Sequence, residues 1–121
     1  MKILLLDDDD MFLDIMSDDL EDAGHEVHTA ASVNEARELY NSADDWDWLS
    51  FDLRLGDGKS LPLVREIISS GNPPKAILVV TSHHNDRDLE DCESLGRCSY
   101  GIKPISCSTL MARMEQIMEI K

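Results

Sequence analysis

Ile3-Leu4-Leu5-Leu6-Asp7-Asp8-Asp9-Asp10 runs an unbroken apolar stretch straight into an unbroken acidic one. A strand with one wet face alternates apolar and polar residues. A short continuous apolar run instead marks a strand covered on both faces, as in a parallel sheet. The acids that follow then sit at the carboxyl end of that strand, where open parallel sheets gather their chemistry.

Working outward, the same grammar repeats. Met11, Ile15, Leu20 and Ala23 mark a helical stretch that stops at Gly24. Glu26 to Ala30 reads as a weaker second strand, and Ser32 and Glu35 have capping-box spacing before a helical face of Ala36, Leu39 and Tyr40. Asp47 to Asp52 is a third strand ending in an acid. Leu53 to Lys59 is a Gly-Asp-Gly loop, and Leu61 to Ser70 a helix with Pro62 in its first turn. Ala76 to Val80 is a fourth, buried strand. A helix over Asp86 to Leu95 stops at Gly96, and Ser99 to Ile102 is the fifth strand. Leu110, Met111, Met114, Ile117 and Met118 define a last amphipathic helix. Five strands alternating with five helices imply a single five-stranded parallel sheet with helices on both faces.

The 121 residues fit one domain, 1–121, large enough to bury a core without disulfides or metal. Asp and Glu number 25 against 11 Lys and Arg, giving a net charge of −14 with no basic stripe, which argues against direct nucleic-acid binding. Cys92, Cys98 and Cys107 form no CxxC pair and leave one thiol over, which favours a reducing compartment. No signal peptide and no apolar run of membrane-spanning length is found, so a cytoplasmic protein without membrane contact is expected.

The strand ends bring together Asp7 and Asp8 from the first strand and Asp52 from the third. The fourth and fifth add Thr81 and Lys103. Carboxylates about 4 Å apart repel by roughly 4 kcal/mol per pair at an effective dielectric near 20. A hard divalent cation with oxygen ligands, Mg²⁺ by availability, offsets this, and the lysine adds a second positive charge. Such a set suits Mg²⁺-dependent phosphoryl chemistry at an aspartate, and the residues alone carry the reading no further.

The sequence resembles the receiver domains of two-component response regulators, the chemotaxis regulator among them, over essentially its whole length. ILLLDDD from Ile3 resembles the family's first strand and acidic pair, and FDLRLGDGKSL from Phe51 its phosphoacceptor strand and loop. ILVVTS from Ile77 resembles the fourth strand, and YGIKP from Tyr100 the fifth with its lysine. The resemblance implies a flavodoxin-like, doubly wound (βα)5 fold. It makes Asp52 the phosphoacceptor, with Mg²⁺ held by Asp8, Asp52 and the Arg54 backbone carbonyl, and by Asp7 mainly through a water. Thr81 and Lys103 would contact the phosphoryl group, and a cis Lys103-Pro104 bond is implied. Thr81 and Tyr100 would form the switch, Tyr100 turning inward to re-form the face of the fourth helix, fifth strand and fifth helix. Arg54 and His83 would tune phosphate lifetime.

The implied partners are a histidine kinase or histidine phosphotransfer protein, and a downstream protein or covalently linked output domain. Homodimerisation is left open. The implied role is a signalling switch, not an enzyme beyond its own phosphorylation and dephosphorylation. Two departures stand out: Gly56 where the family often has Pro, and Ser60 where it often has Gly, which questions the backbone at the start of the third helix.

Blander readings stand beside these. Asp9 and Asp10 are expected as a solvated helix start, Trp46 and Trp48 as packing residues, and His25 and His28 as surface residues. The Met111, Met114 and Met118 stripe is expected in the core. Tyr100 reads equally as a switch or a plain half-buried tyrosine. A phosphate-independent interaction module and a receiver-like enzyme processing cyclic phosphates through His83 and His84 are the competing functions.

Overall fold

The computed structural model describes residues 1–82 and 85–120. Strand β1 (Lys2–Leu6) leads into α1 (Asp10–Asp22), followed by β2 (Glu26–Ala30), α2 (Val33–Asn41) and β3 (Trp48–Asp52). A short hairpin, β4 (Arg54–Leu55) with β5 (Gly58–Lys59), precedes α3 (Leu61–Ile68). Then come β6 (Ala76–Thr81), α4 (Asp86–Ser94), β7 (Cys98–Ile102) and α5 (Cys107–Ile120).

Five strands form one parallel sheet in the order β2-β1-β3-β6-β7. The chain moves from β1 out to β2, then back across β1 to β3. The reversal therefore falls between β1 and β3, where a crevice opens at the carboxyl ends. This is the expected flavodoxin-like doubly wound sheet, with β6 and β7 as its fourth and fifth strands.

The continuous apolar runs are explained by burial on both faces. Ile3 and Leu5 of β1 pack with Leu13, Met16 and Leu20 of α1 and Leu110, Met114 and Ile117 of α5. Leu4 and Leu6 face the other way, onto Val33 and Ala36 of α2, Leu63, Val64 and Ile67 of α3, and Cys92 of α4. Each such side chain contributes about 1.5–3 kcal/mol on burial, which fixes the strand's position more firmly than backbone pairing alone.

Local signals end the helices where the sequence places them. Gly24 and Gly96 take φ of 95° and 73°, the left-handed conformations that close α1 and α4. Ser32 caps α2 by accepting the Glu35 N–H, while the Glu35 carboxylate reaches back to the Ala31 N–H.

Trp46 and Trp48 are buried, as expected of packing residues, and Met114 lies in the core with Met111 and Met118 half-buried beside it. Cys92 is buried, and Cys98 and Cys107 are half-buried, all free thiols. His25 and His28 are not simple surface residues. Their rings lie 5.1 Å from Trp48 and 5.3 Å from Trp46, so both are half-buried against aromatic faces at the sheet edge. Among the described residues, no helix is long and apolar enough to cross a membrane.

Candidate functional site

The acidic run after β1 divides its labour. Asp7, the first residue past the strand, is buried, and its backbone N–H donates to the Ala30 carbonyl, extending the β1–β2 ladder. Asp8 is exposed at the crevice. Asp9 caps α1, accepting the Met11 and Phe12 N–H groups at 3.0 and 3.3 Å, and donates its own N–H to Asp7 Oδ1 at 2.9 Å. Asp10 opens the helix, where acids complement the dipole.

Asp52 ends β3, half-buried, across the reversal point from Asp7. One carboxylate oxygen from each of Asp7, Asp8 and Asp52 lies within 4.8 Å of the others. Lys103, just past β7, reaches over the crevice: its Nζ donates to Asp7 Oδ2 at 2.5 Å and stands 3.5 Å from Asp52 Oδ2. It also lies 4.6 Å from the centre of the Phe12 ring. The Lys103-Pro104 bond is cis, and the Lys103 N–H donates to the Thr81 carbonyl at 2.8 Å, joining the ends of β7 and β6. Thr81 is buried at the end of β6.

These neighbours shift the charges. Burial pushes the Asp52 carboxyl above the usual carboxylate value, and Asp7 and Asp8 push the same way. Lys103 and the Arg54 backbone N–H oppose them. For Lys103, burial pulls the ammonium's pKa down, but the hydrogen bond to Asp7 and the charges of Asp52 and Asp7 outweigh it and hold the pKa above the ordinary lysine value. Three hard oxygen donors around one point, with their mutual repulsion only partly offset by one ammonium, fit a Mg²⁺ ion by donor chemistry.

The sequence reading brings Asp7, Asp8, Asp52, Thr81 and Lys103 to one edge, and the structure places them there. Lys103 pairs with both carboxylates, and Asp7 is the closer of the two. Asp7 is the more deeply buried of the two and has the greater need of a countercharge. Tyr100 is only 6% exposed. It belongs to the buried cluster that also holds Cys92, with Leu89 and Leu95 packed against that cluster. His83 and His84 lie outside the described residues.

The stretch read as a plain loop, Leu53 to Lys59, is a hairpin, its strands joined across Gly56 and Asp57 with Gly58 at φ 134°. Asp57-Gly58 was the available signal. Two consequences were not legible. Asp57 reaches back to accept the Val33 and Asn34 N–H groups of α2 at 3.0 and 3.1 Å. Arg54 and Lys59 both lean towards Asp88 of α4, at 3.7 and 3.6 Å. Ser60, at the departure from Gly, takes an ordinary αR backbone (φ −83°, ψ −18°), so the substitution strains nothing. Its hydroxyl, however, is buried without a hydrogen-bond partner among the described residues.

A doubly wound sheet with an aspartate triad and a lysine at its switch point defines a class of phosphoryl-accepting signalling domains. Residues 3–115 match the family model of the response regulator receiver domain, and the chain belongs to that family. Receiver domains are signalling domains and typically hold Mg²⁺ at an acidic cluster of this kind.

The chain is 30% identical over 118 residues to the transcriptional regulatory protein PhoP of Escherichia coli K12, covering 98% of this chain and 52% of that protein. It therefore spans about half the length of the curated relatives it matches. Among solved structures, it resembles the chemotaxis response regulator CheY4 of Vibrio cholerae (TM-score 0.80, 23% identity, 96% of this chain and 97% of that one). It also resembles a CheY-like receiver domain protein of Methanospirillum hungatei (TM-score 0.86, 22% identity, 98% and 94%). A third likeness is to a Burkholderia pseudomallei response regulator solved with a phosphorylated aspartic acid and a calcium ion (TM-score 0.85, 24% identity, 98% and 69%). At these identities the structural likenesses establish the fold.

Proposed function

We propose that residues 1–121 act as one receiver domain in which Asp52 takes a phosphoryl group from a histidine kinase or histidine phosphotransfer protein. The observation that carries this is the meeting of the Asp7, Asp8 and Asp52 carboxylates with the Lys103 ammonium 3.5 Å from Asp52. An Asp52 oxygen attacks phosphorus as the donor's P–N bond breaks. Lys103, already held between Asp7 and Asp52, moves its charge towards the new phosphoryl oxygens. The Thr81 hydroxyl, at the neighbouring strand end, is the hydrogen-bond donor to one of them.

Asp7, Asp8, Asp52 and the Arg54 backbone carbonyl would hold Mg²⁺, Asp8 and Asp52 directly and Asp7 mainly through water. The ion would neutralise charge on the transferring group. Arg54 and His83, two positions beyond Asp52 and Thr81 in the sequence, set how long the phosphate lasts. The face of α4, β7 and α5 carries the change to a downstream protein, to a linked output domain or to a second copy. Thr81 and Tyr100 form the switch, and the shift on this face is a change in population between two packings.

Intact mass after incubation with acetyl phosphate and Mg²⁺ tests the reading. Gain of one base-labile phosphoryl group, lost in Asp52→Asn and without the metal, is the expected result. No gain from any donor would sink it.

A further inference from the structure

We infer that Arg54 and Asp88 join the acceptor carboxylate to helix α4, with Asp88 as the positioning residue on the helix side. The inference rests on the reading of Asp52 as the phosphoacceptor.

Asp88 is unusual among the acids of this chain. It lies in the first turn of α4, its N–H taken by the side chain of the cap Asn85, yet it is 4% exposed. The helix dipole favours an acid at this position on a wet surface but gives no reason to bury one. Its Oδ2 has no hydrogen-bond partner among the described residues. Among the described residues its charge is met only by the hairpin that follows Asp52: Arg54 Nη2 at 3.7 Å from Oδ2 and Lys59 Nζ at 3.6 Å from Oδ1. Both separations exceed hydrogen-bond length. The pairing is therefore electrostatic, without directional bonds, and the half-exposed cations are free to re-aim.

Arg54 has a second tie, because it opens the hairpin only two residues past Asp52 at the end of β3. A single residue thus follows the acceptor by two positions and reaches towards α4 with its guanidinium.

A phosphoryl group on Asp52 places a more highly charged and more accessible anion beside Arg54, one a guanidinium grips with paired hydrogen bonds. Arg54 turning towards it leaves Asp88 with Lys59 alone. A buried carboxylate that loses a cation is strongly destabilising, and the first turn of α4 relieves it by opening to water. Phosphorylation is then reported as loosening of α4 at its N-terminus, beside Tyr100.

Hydrogen exchange across residues 85–94, with and without Mg²⁺ and beryllofluoride as the phosphoryl mimic, tests this. Intact-mass uptake from acetyl phosphate is recorded on the same variants. In the unmodified protein, beryllofluoride should speed exchange in the first turn of α4 several-fold. Lys59→Gln should speed it without the mimic. Adding Asp88→Asn to Lys59→Gln should restore protection, because a neutral amide needs no cation. Asp88→Asn alone should abolish the α4 response while Asp52 still takes up one phosphoryl group.

A normal α4 response in Asp88→Asn overturns the inference, as does a Lys59→Gln effect that is the same with Asp or Asn at position 88. Should Asp88→Asn fail to fold, unchanged α4 exchange in Lys59→Gln overturns it on its own. Absence of phosphoryl uptake in every variant, the unmodified protein included, overturns the acceptor reading itself.

Discussion

Lys103 Nζ donates to Asp7 Oδ2 at 2.5 Å, tying the end of β7 to the end of β1 although β3 and β6 lie between them in the sheet. The pair spans the crevice and bears on folding as well as on chemistry. Lys103→Met leaves Asp7 buried with its countercharge gone, and breaking such a pair costs about 3 kcal/mol. Denaturant unfolding should show that loss, and Asp7→Asn in the same chain should recover most of it. Equal stability of the single and double variants would show that the pair does not matter to the fold.

Asp52 gives the opposite sign. Its carboxyl is held above the ordinary value by burial, then by Asp7 and Asp8. The folded state therefore binds this proton more tightly than the unfolded one. The group's contribution to stability falls as pH rises from the ordinary carboxylate value through the raised one. At neutral pH the ionised Asp52 is a net cost. Asp52→Asn should raise the melting temperature at pH 7 by a few degrees, with the gain fading as pH falls through the raised value and gone below the ordinary one. A gain that is independent of pH would remove the electrostatic account.

Ser60 is fully buried and its hydroxyl lacks a partner among the described residues. Ser60→Ala removes an unsatisfied polar group at nearly constant volume and should stabilise the fold by about 1 kcal/mol in denaturant melts. A loss of similar size would mean that the hydroxyl is satisfied in solution.

Met11 and Ile15 lie one turn apart on α1 and are 71% and 58% exposed, the most exposed large apolar side chains among the described residues. They stand on the helix that leaves the acidic run, where a protein donor would approach Asp52. Ile15→Asp should slow phosphotransfer from a histidine phosphotransfer domain about tenfold, the effect of roughly 1.4 kcal/mol of lost contact. Uptake from acetyl phosphate, which needs no docking surface, should be unchanged. Equal slowing with both donors would place the effect in the chemistry and not in docking.

Asp57 accepts two N–H groups of the first turn of α2, and those bonds hold its carboxyl below the ordinary value. Asp57→Ala should speed amide exchange at Val33 and Asn34 several-fold while leaving Glu35, capped by Ser32, nearly unchanged. Uniform loosening of α2 would instead point to general destabilisation.

The parts of this molecule legible in its sequence are those set by local pattern. Continuous apolar runs gave β1 and β6, glycine stops gave the ends of α1 and α4, and the chemistry of strand ends gave the meeting of Asp7, Asp8, Asp52, Thr81 and Lys103. What escaped depends on partners far apart in the chain. The Asp57-Gly58 hairpin signal was visible, but nothing local says that Asp57 serves a helix 24 residues earlier. Asp88 looks like any acid in a helical first turn until the hairpin cations close over it. His25 and His28 look exposed until Trp48 and Trp46 come to lie against them.

The Asp57 cap has a consequence for the order in which the chain takes shape. As the polypeptide is made, residues 33–41 emerge before Asp57 exists to accept the Val33 and Asn34 amides, and a nine-residue helix is marginal by itself. The groups that close that turn arrive only after β3 has been laid beside β1 and the chain has reversed at Gly56 and Asp57. Helix α2 is thus finished from downstream, so its last-formed bonds record that the acceptor strand has found its place.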